Sequence, residues 1–294
     1  LNENVMAAIR AGIKVGDVVT GYTVTEKSYT TSGEENTCNI RKNYTETDPQ
    51  PQTVTTNTDI TWKYLGVNAN GELEIMAVLS EKDAITDTAD KQLKVKLSGK
   101  GGYLKGPEML NTICEKLYSV SGVGTARSMN IDDVNSILGY TGEKGIYNDN
   151  NGKEVETPTA LTIGEIDKKL GTSLGTNTTT PDGKDLGTYY SDYYDIIKTS
   201  KNITNSDDKT KSLVYNAKNK YWLASACVDA HFVGGYANFA VRCVNSTVVY
   251  ANDMFNSNDR SSYGAYAVCP VVKLNTSVKL TKDASNANTW NIPK

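Results

Sequence analysis

The chain has 294 residues, 38% of them hydrophobic, and its 31 basic and 34 acidic side chains leave a net charge of −3. That length suits one large domain or two modest ones with a true core. A near-neutral balance without a basic block argues against a nucleic-acid partner, which needs clustered Lys and Arg, and no run of 18 apolar residues exists to span a membrane.

The aromatic content is lopsided, with 18 Tyr against 3 Phe and 3 Trp. Tyrosine joins an apolar body to a polar tip and suits half-wet binding surfaces better than dry cores. His231 is the only histidine, so imidazole metal sites and Ser–His or Cys–His nucleophiles are not expected. The five cysteines, Cys38, Cys114, Cys227, Cys243 and Cys269, form no CxxC pair and point to neither zinc nor a thioredoxin-like motif. No metal and no cofactor is expected, and no signal peptide opens the sequence.

Residues Asn2 to Gly16 are predicted as a short helix with Val5, Ile9 and Ile13 along one face. This segment, 1–16, is set apart from a single domain expected over 17–294. Asp17–Val24 is strand-like, and a polar, Thr-rich loop runs from about Glu26 to Asn57. Thr58–Val67 and Glu72–Leu79 predict a hairpin with Asn70-Gly71 at its turn. Trp62, Tyr64, Ile75 and Ala77 alternate toward the core. A strand over Gln92–Leu97 precedes Gly99-Lys100-Gly101-Gly102, which reads as a turn because the frame of a phosphate-binding loop is missing.

Pro107–Tyr118 is an amphipathic helix with Pro107 expected in its first turn and Met109, Leu110, Ile113, Cys114 and Leu117 on one face. Asn130 is an N-cap, Asp132 and Asp133 complement the helix dipole, and Met129 staples onto Val134. The two aspartates, about 100° apart around a helix, cannot share a proton as an acid–base pair. Arg127 is expected to anchor a buried carboxylate or carbonyl. An insertion at 140–219 is rich in Thr, Asn, Gly, Asp and Lys. Within it Thr162 and Glu165 form a capping box for a helix to Leu170, ended by Gly171. Tyr189, Tyr190, Tyr193 and Tyr194 are read as packing the insertion on the main domain. Val278–Leu280 to Trp290–Ile292 reads as a last hairpin.

The chain is organised around Lys220–Leu274. Two apolar brackets, Tyr221–Ser225 and Val268–Val272, enclose an interior of Asn, Ser, Tyr and Gly that reads as loop-rich. The 43 residues from Ala226 to Val268 contain no Lys, Glu, Gln or Trp, whereas the other 251 contain 46 of them. Burial does not account for this, since the stretch keeps Asp229, Asp253, Asp259, Arg242 and Arg260.

The frame Tyr221-Trp222-Leu223-Ala224-Ser225, a variable interior and the ending Pro270-Val271-Val272 together resemble the C-terminal half of the C-type lectin fold of the formylglycine-generating-enzyme type; Ala126–Asn135 adds a second stretch similar to that family. Within the fold, the chain resembles pilin-like surface proteins of gut Firmicutes and variable proteins diversified by retroelements. The resemblance implies an α+β, C-type lectin-like fold with small antiparallel sheets, two main helices and many loops. It also implies termini lying together, so that Asp17–Val24 pairs antiparallel with about Val271–Leu280. Such retroelements mutate template adenines, turning an Asn AAY codon into any NNY codon. NNY codons never encode Lys, Glu, Gln, Trp or Met, so Met254 alone would have to be a fixed position.

Family members are exported, often behind a pilin-type helix, which implies a trimmed ectodomain located outside the cell, on its surface or on a pilus. Leu1-Asn2-Glu3-Asn4 does not keep a pilin motif. The oxidases of this fold need a close cysteine pair, which Cys227, Cys243 and Cys269, spaced by 16 and 26, do not match. The EPN or QPD and WND motifs of calcium-dependent sugar sites are also missing, Asn252-Asp253 following Ala251 instead of Trp. Most family members carry a residue such as Arg where Cys269 stands, so Cys269 is expected to form no obligatory disulfide.

The implied function is surface-displayed adhesion or recognition, without enzymatic activity. Region 226–268 would form a diversified face for a macromolecular ligand, protein or glycan, on a host, microbe or phage surface. A structural pilin-like subunit, and after it an oxidase, are the alternatives. The candidate positions are Asp229, His231, Phe232, Tyr236, Asn238, Ser246, Thr247, Tyr250, Asn252, Asp253, Phe255, Asn256, Asn258, Asp259, Tyr263 and Tyr266. They are expected to be exposed and tolerant, changing stability by no more than about 0.5 kcal/mol. Tyr236, Tyr250, Phe255 and Tyr263 are the expected hot spots, with Trp222 and Pro270–Val272 supporting them from beneath.

Overall fold

A computed structural model describes residues 1–36, 49–79, 93–140, 208–215, 220–231, 236–245, 248–256 and 262–294, together with four short strands between 146 and 198. Helix α1 (Glu3–Arg10) is capped by the Asn2 side chain, which accepts from the Asn4 N–H at 2.8 Å. It is shorter than the expected 2–16 span because the chain turns at Gly12 and Gly16, both with φ near +90°. Its inward side carries Val5 and Ala8, while Ile9 is 42% exposed, so the buried stripe steps by three instead of four.

The strands follow as β1 (Val18–Thr20), β2 (Ser28–Thr30), β3 (Thr53–Thr55), β4 (Ile60–Val67), β5 (Leu73–Leu79) and β6 (Lys94–Ser98). Helix α2 (Gly99–Tyr118), β7 (Gly124–Ser128) and α3 (Ile131–Leu138) come next. The insertion contributes β8 (Ile146–Asn148), β9 (Glu154–Val155), β10 (Tyr189–Ser191), β11 (Ile197–Lys198) and α4 (Asp208–Val214). The C-terminal part holds β12 (Tyr221–His231), β13 (Tyr236–Asn245), β14 (Val248–Asn256), β15 (Tyr263–Ala267), β16 (Pro270–Leu274), β17 (Thr281–Lys282) and β18 (Thr289–Asn291).

The architecture is α+β, with four helices among the described residues. A seven-stranded sheet runs β17-β18-β1-β4-β5-β16-β7. A nine-stranded sheet runs β11-β14-β13-β12-β10-β8-β9, with β15 pairing both β12 and β6, and β2-β3 form a separate ribbon. The sheets are not wholly antiparallel, because β1–β18 and β12–β15 pair in parallel.

The β4–β5 hairpin is as the alternation predicts. Trp62 faces Ala77 and Tyr64 faces Ile75 across the ladder, all four buried. Asn68 shapes the turn, its Oδ1 accepting from the Asn70 and Glu72 N–H groups at 3.0 Å each. The expected antiparallel pairing of Asp17–Val24 with Val271–Leu280 is not found. Strand β1 pairs parallel with β18 and antiparallel with β4, while β16 lies beyond both β4 and β5. An ion pair on the buried Asp17 carboxylate favours this arrangement. Trp290, 1% exposed, donates its indole N–H to Asp17 at 3.0 Å, and Lys209 of α4 meets the other Asp17 oxygen at 2.7 Å. Burial alone would raise the Asp17 carboxyl, but Lys209, the Lys14 N–H and Trp290 hold it below its ordinary value.

Helix α2 also departs from expectation. The glycine run is its first turn, and Pro107 lies inside the helix. Glycine costs about 1 kcal/mol relative to alanine in a helix, yet packing here demands it. A Cβ at Gly102 would lie 3.0 Å from Met254 Sδ, and one at Gly106 2.9 Å from Leu97 Cδ1. The helix touches β7 and β16 of one large sheet and β6 and β12–β14 of the other.

The cap of α3 is a reciprocal pair, Asn130 Oδ1 accepting from the Asp133 N–H at 3.0 Å and Asp133 Oδ2 from the Asn130 N–H at 2.9 Å. The staple residues Met129 and Val134 are fully buried. Arg127 donates both terminal nitrogens to Asp133, at 2.7 and 2.8 Å, and also reaches Glu74 at 3.2 Å. The insertion joins the nine-stranded sheet through β10, where Tyr189 pairs with His231 and Tyr190 with Ala230. Residues 162–171, Tyr193 and Tyr194 lie outside the described residues. Among the described residues no helix is long and apolar enough to cross a membrane.

Candidate functional site

The two brackets form a buried frame. Tyr221, Trp222 and Leu223 are at most 2% exposed. The Trp222 indole N–H donates to the Val95 carbonyl at 2.7 Å, and the Tyr221 hydroxyl to the Val214 carbonyl of α4 at 2.8 Å. Pro270, Val271 and Val272 are buried as well. Met254, the residue that the codon argument requires to be fixed, is fully buried beside Gly102 of α2.

The interior that was expected to be loop-rich is a ladder of long strands. Strands β12, β13 and β14 contribute 11, 10 and 9 residues. Asn and Ser bias the eye toward turns, but the Val, Tyr, Phe and Ala between them alternate well enough to pleat. Strand β13 is central, and from Phe239 to Val244 no residue is more than 3% exposed. Both of its sides are therefore covered.

Three candidate positions meet on the side of the ladder that carries Trp222. The Tyr250 hydroxyl donates to the Tyr266 hydroxyl at 3.0 Å, and Tyr266 donates to Asn252 Oδ1 at 2.9 Å. The Tyr266 ring stands edge-on to Trp222, centroids 4.6 Å apart. Gly264 permits this closeness, since a Cβ there would lie 2.7 Å from Trp222 and 2.9 Å from Asn252 Nδ2. Burial raises both tyrosines above their ordinary pKa, and it pushes the neighbouring Cys243 thiol up to about 12. Tyr250, Asn252 and Tyr266 are half-buried, which corrects the expectation that they are exposed. A hydrogen-bonded chain lying against a buried indole serves as framework.

A second group collects by register at the opposite end of the ladder. Asp229 pairs with Asn238, and Asn238 with Asn256, in one row across β12, β13 and β14. His231 and Tyr236 pair two residues further along. Strand β10 extends both rows, placing Ser191 beside Asp229 and Tyr189 beside His231. Phe255 pairs with Phe239 in the row before. Asn238 is half-buried and Asp253 exposed.

Tyr263 is separate from both groups. It is 65% exposed and has Lys96 Nζ 4.7 Å above its ring, and by alternation along β15 it faces away from Tyr266. Phe232, Ser246, Thr247, Asn258 and Asp259 lie outside the described residues. Sequence reasoning missed Lys96, because the pairing of β15 with β6 joins segments far apart in the chain with no local signal. It also missed Ser191, whose neighbours gave only an aromatic cluster.

Among the described residues no group of three or more His, Cys, Asp or Glu stands together to hold a metal. Cys114, Cys227, Cys243 and Cys269 are buried and form no disulfide, and Cys38 lies outside the described residues. Cys269 Sγ stands 3.5 Å from the Ala77 carbonyl and 3.8 Å from Met129 Sδ. Two open clefts, of about 310 and 210 Å³, lie beside residues 119–125 and 273–276 and between β4 and α3. Neither is lined by the β12–β15 ladder. No family model, curated protein or solved structure matches the chain.

Proposed function

We propose that this chain is an extracellular recognition module on a C-type lectin-like scaffold of the formylglycine-generating-enzyme type, with a diversified binding face. The observation that carries this reading is the position of Met254. In a stretch otherwise free of Lys, Glu, Gln and Trp, the single residue that an NNY codon cannot supply is fully buried against α2. A changing face on a constant core requires that separation. The face itself is assigned to the row end of the ladder, Asp229, His231, Tyr236, Asn238 and Asn256, with Asp253 at its margin. Tyr250, Asn252 and Tyr266 are reassigned to the constant framework. The ligand is a macromolecule, protein or glycan, on another surface.

Sequencing the gene from many isolates tests this. Differences concentrated at the row positions, with Met254, Trp222, Tyr250 and Tyr266 constant, are the expected result. Differences spread evenly along the chain, or Lys and Glu appearing inside 226–268, would leave an ordinary Tyr-rich surface protein.

A further inference from the structure

The cleft between β4 and α3, about 210 Å³, is smaller than the roughly 300–1,000 Å³ pockets that take drug-sized ligands. Val15, Leu65, Val67 and Ile137 give it aliphatic walls. Glu74 and Asp133 line it as well, and the described residues around it include no Lys or Arg. Both acidic side chains are only 12% exposed. Arg127, which pairs with both, is not among the lining residues. Its bonds to the two carboxylates are unequal. Asp133 takes both terminal nitrogens, at 2.7 and 2.8 Å, and accepts from the Asn130 N–H besides. Glu74 receives only long contacts from one of those nitrogens, at 3.2 and 3.3 Å.

Charge does not balance at this cleft. Lys273 stands opposite Glu74 in the β5–β16 ladder, but its ammonium reaches Glu72 at 3.6 Å. Glu72, Glu74 and Asp133 therefore share Arg127 and Lys273, three negative charges against two positive. Lys209, next to the lining residue Thr210, is held by Asp17 at 2.7 Å. A mostly buried carboxylate with spare acceptor capacity is stabilised by a further positive donor. A hard metal ion needs about six or more oxygens and makes no use of aliphatic walls. An ammonium on a hydrocarbon stem uses both features, its N–H groups meeting the carboxylate and its methylenes lying along the walls. We propose that this cleft binds a primary alkylammonium group, of the kind carried by a lysine side chain or a free aliphatic amine. The cleft lies apart from the β12–β15 ladder, so the proposal does not depend on the binding-face reading.

The test is a titration of the full chain with n-butylammonium at fixed ionic strength, followed by saturation-transfer NMR. Half-saturation is expected at roughly 1–10 mM, a range open to a ligand of about five heavy atoms. n-Butanol, which keeps the stem and loses the charge, should bind at least about tenfold more weakly. Ammonium chloride, which keeps only the charge, should not displace the probe. Glu74→Gln should weaken butylammonium binding at least about tenfold. Should that variant not fold, Ser136→Lys, a change at an exposed position lining the cleft, should block the probe by supplying a resident ammonium. A short peptide with blocked termini and one lysine separates the two sources. Displacement of the probe by it assigns the cleft to a lysine side chain, and failure to displace assigns it to a free amine. A wild-type chain that shows no transfer to butylammonium, or equal transfer to butanol, overturns the proposal. So does binding that survives unchanged in Glu74→Gln or, where that variant does not fold, in Ser136→Lys.

Discussion

Trp222 is where the frame and the framework tyrosines meet, and its removal has a calculable cost. The side chain is fully buried, donates to the Val95 carbonyl at 2.7 Å and packs edge-on against Tyr266 at 4.6 Å. Truncating a buried Trp to Ala costs about 3–5 kcal/mol through lost transfer energy and the cavity left behind. The orphaned Val95 carbonyl places Trp222→Ala in the upper part of that range, roughly 4–5 kcal/mol. At about 2 °C per kcal/mol for a chain of this size, Tm should fall by roughly 10 °C. Trp222→Phe, which keeps an aromatic ring but loses the N–H, should cost about 1–3 kcal/mol. Thermal melts of both variants beside wild type read the two contributions separately. A Trp222→Ala chain that melts within 2 °C of wild type, by about the same conversion, would refute the assignment of Trp222 to the frame.

Asp17→Asn should lower stability near neutral pH by about 1–2 kcal/mol, a modest figure because Lys209 is partly exposed. The folded Asp17 carboxyl sits below its unfolded value of 3.8, so its contribution is complete above that pH and is lost as pH falls through the folded value. The Tm gap between wild type and Asp17→Asn should therefore close in acid, and a gap that persists there counts against the Asp17–Lys209 ion pair. Gly264→Ala should destabilise by about 1–3 kcal/mol through overpacking against Trp222 and Asn252, whereas an unchanged Tm would mean that the ladder opens freely there. Cys269→Ser should fold at a cost of about 1–2 kcal/mol, its hydroxyl keeping a donor near the Ala77 carbonyl. Alkylation under denaturing conditions should find Cys269 a free thiol, and a mass spectrum showing it bridged to Cys227 or Cys243 would reject this.

Local chemistry was legible in the sequence wherever one segment held all the information. The Asn68–Gly71 turn, the alternation of Trp62, Tyr64, Ile75 and Ala77, and the reciprocal cap of Asn130 and Asp133 are short-range patterns with a physical signature. Arg127 was foreseen as the anchor of a buried carboxylate or carbonyl, but neither Glu74 nor Asp133 was identifiable as its partner. Distant pairings were not legible. Nothing near Val18 specifies Thr289 as its neighbour, and nothing near Tyr263 specifies Ser98. The start of α2 was hidden because three of its first four residues are glycines, which read locally as a turn. The candidate face failed as one surface for a related reason. Composition marks which positions an NNY codon can supply, but only the pairing of distant strands brings Tyr250, Asn252 and Tyr266 together, half-buried, beside Trp222.

The parallel pairing of β1 with β18 has a consequence for how the protein is made. Thr20 and Trp290, 270 positions apart in the chain, belong to neighbouring strands. At roughly 5–20 residues per second on the ribosome, on the order of 15–50 s separate the emergence of these two partners. Throughout that interval β1 can pair only with β4 and keeps an open edge, the kind of edge that recruits other chains. Completion of the seven-stranded sheet is thus a late event with a long loop to close. Nascent chains halted before Thr289 should be the species that chaperones hold.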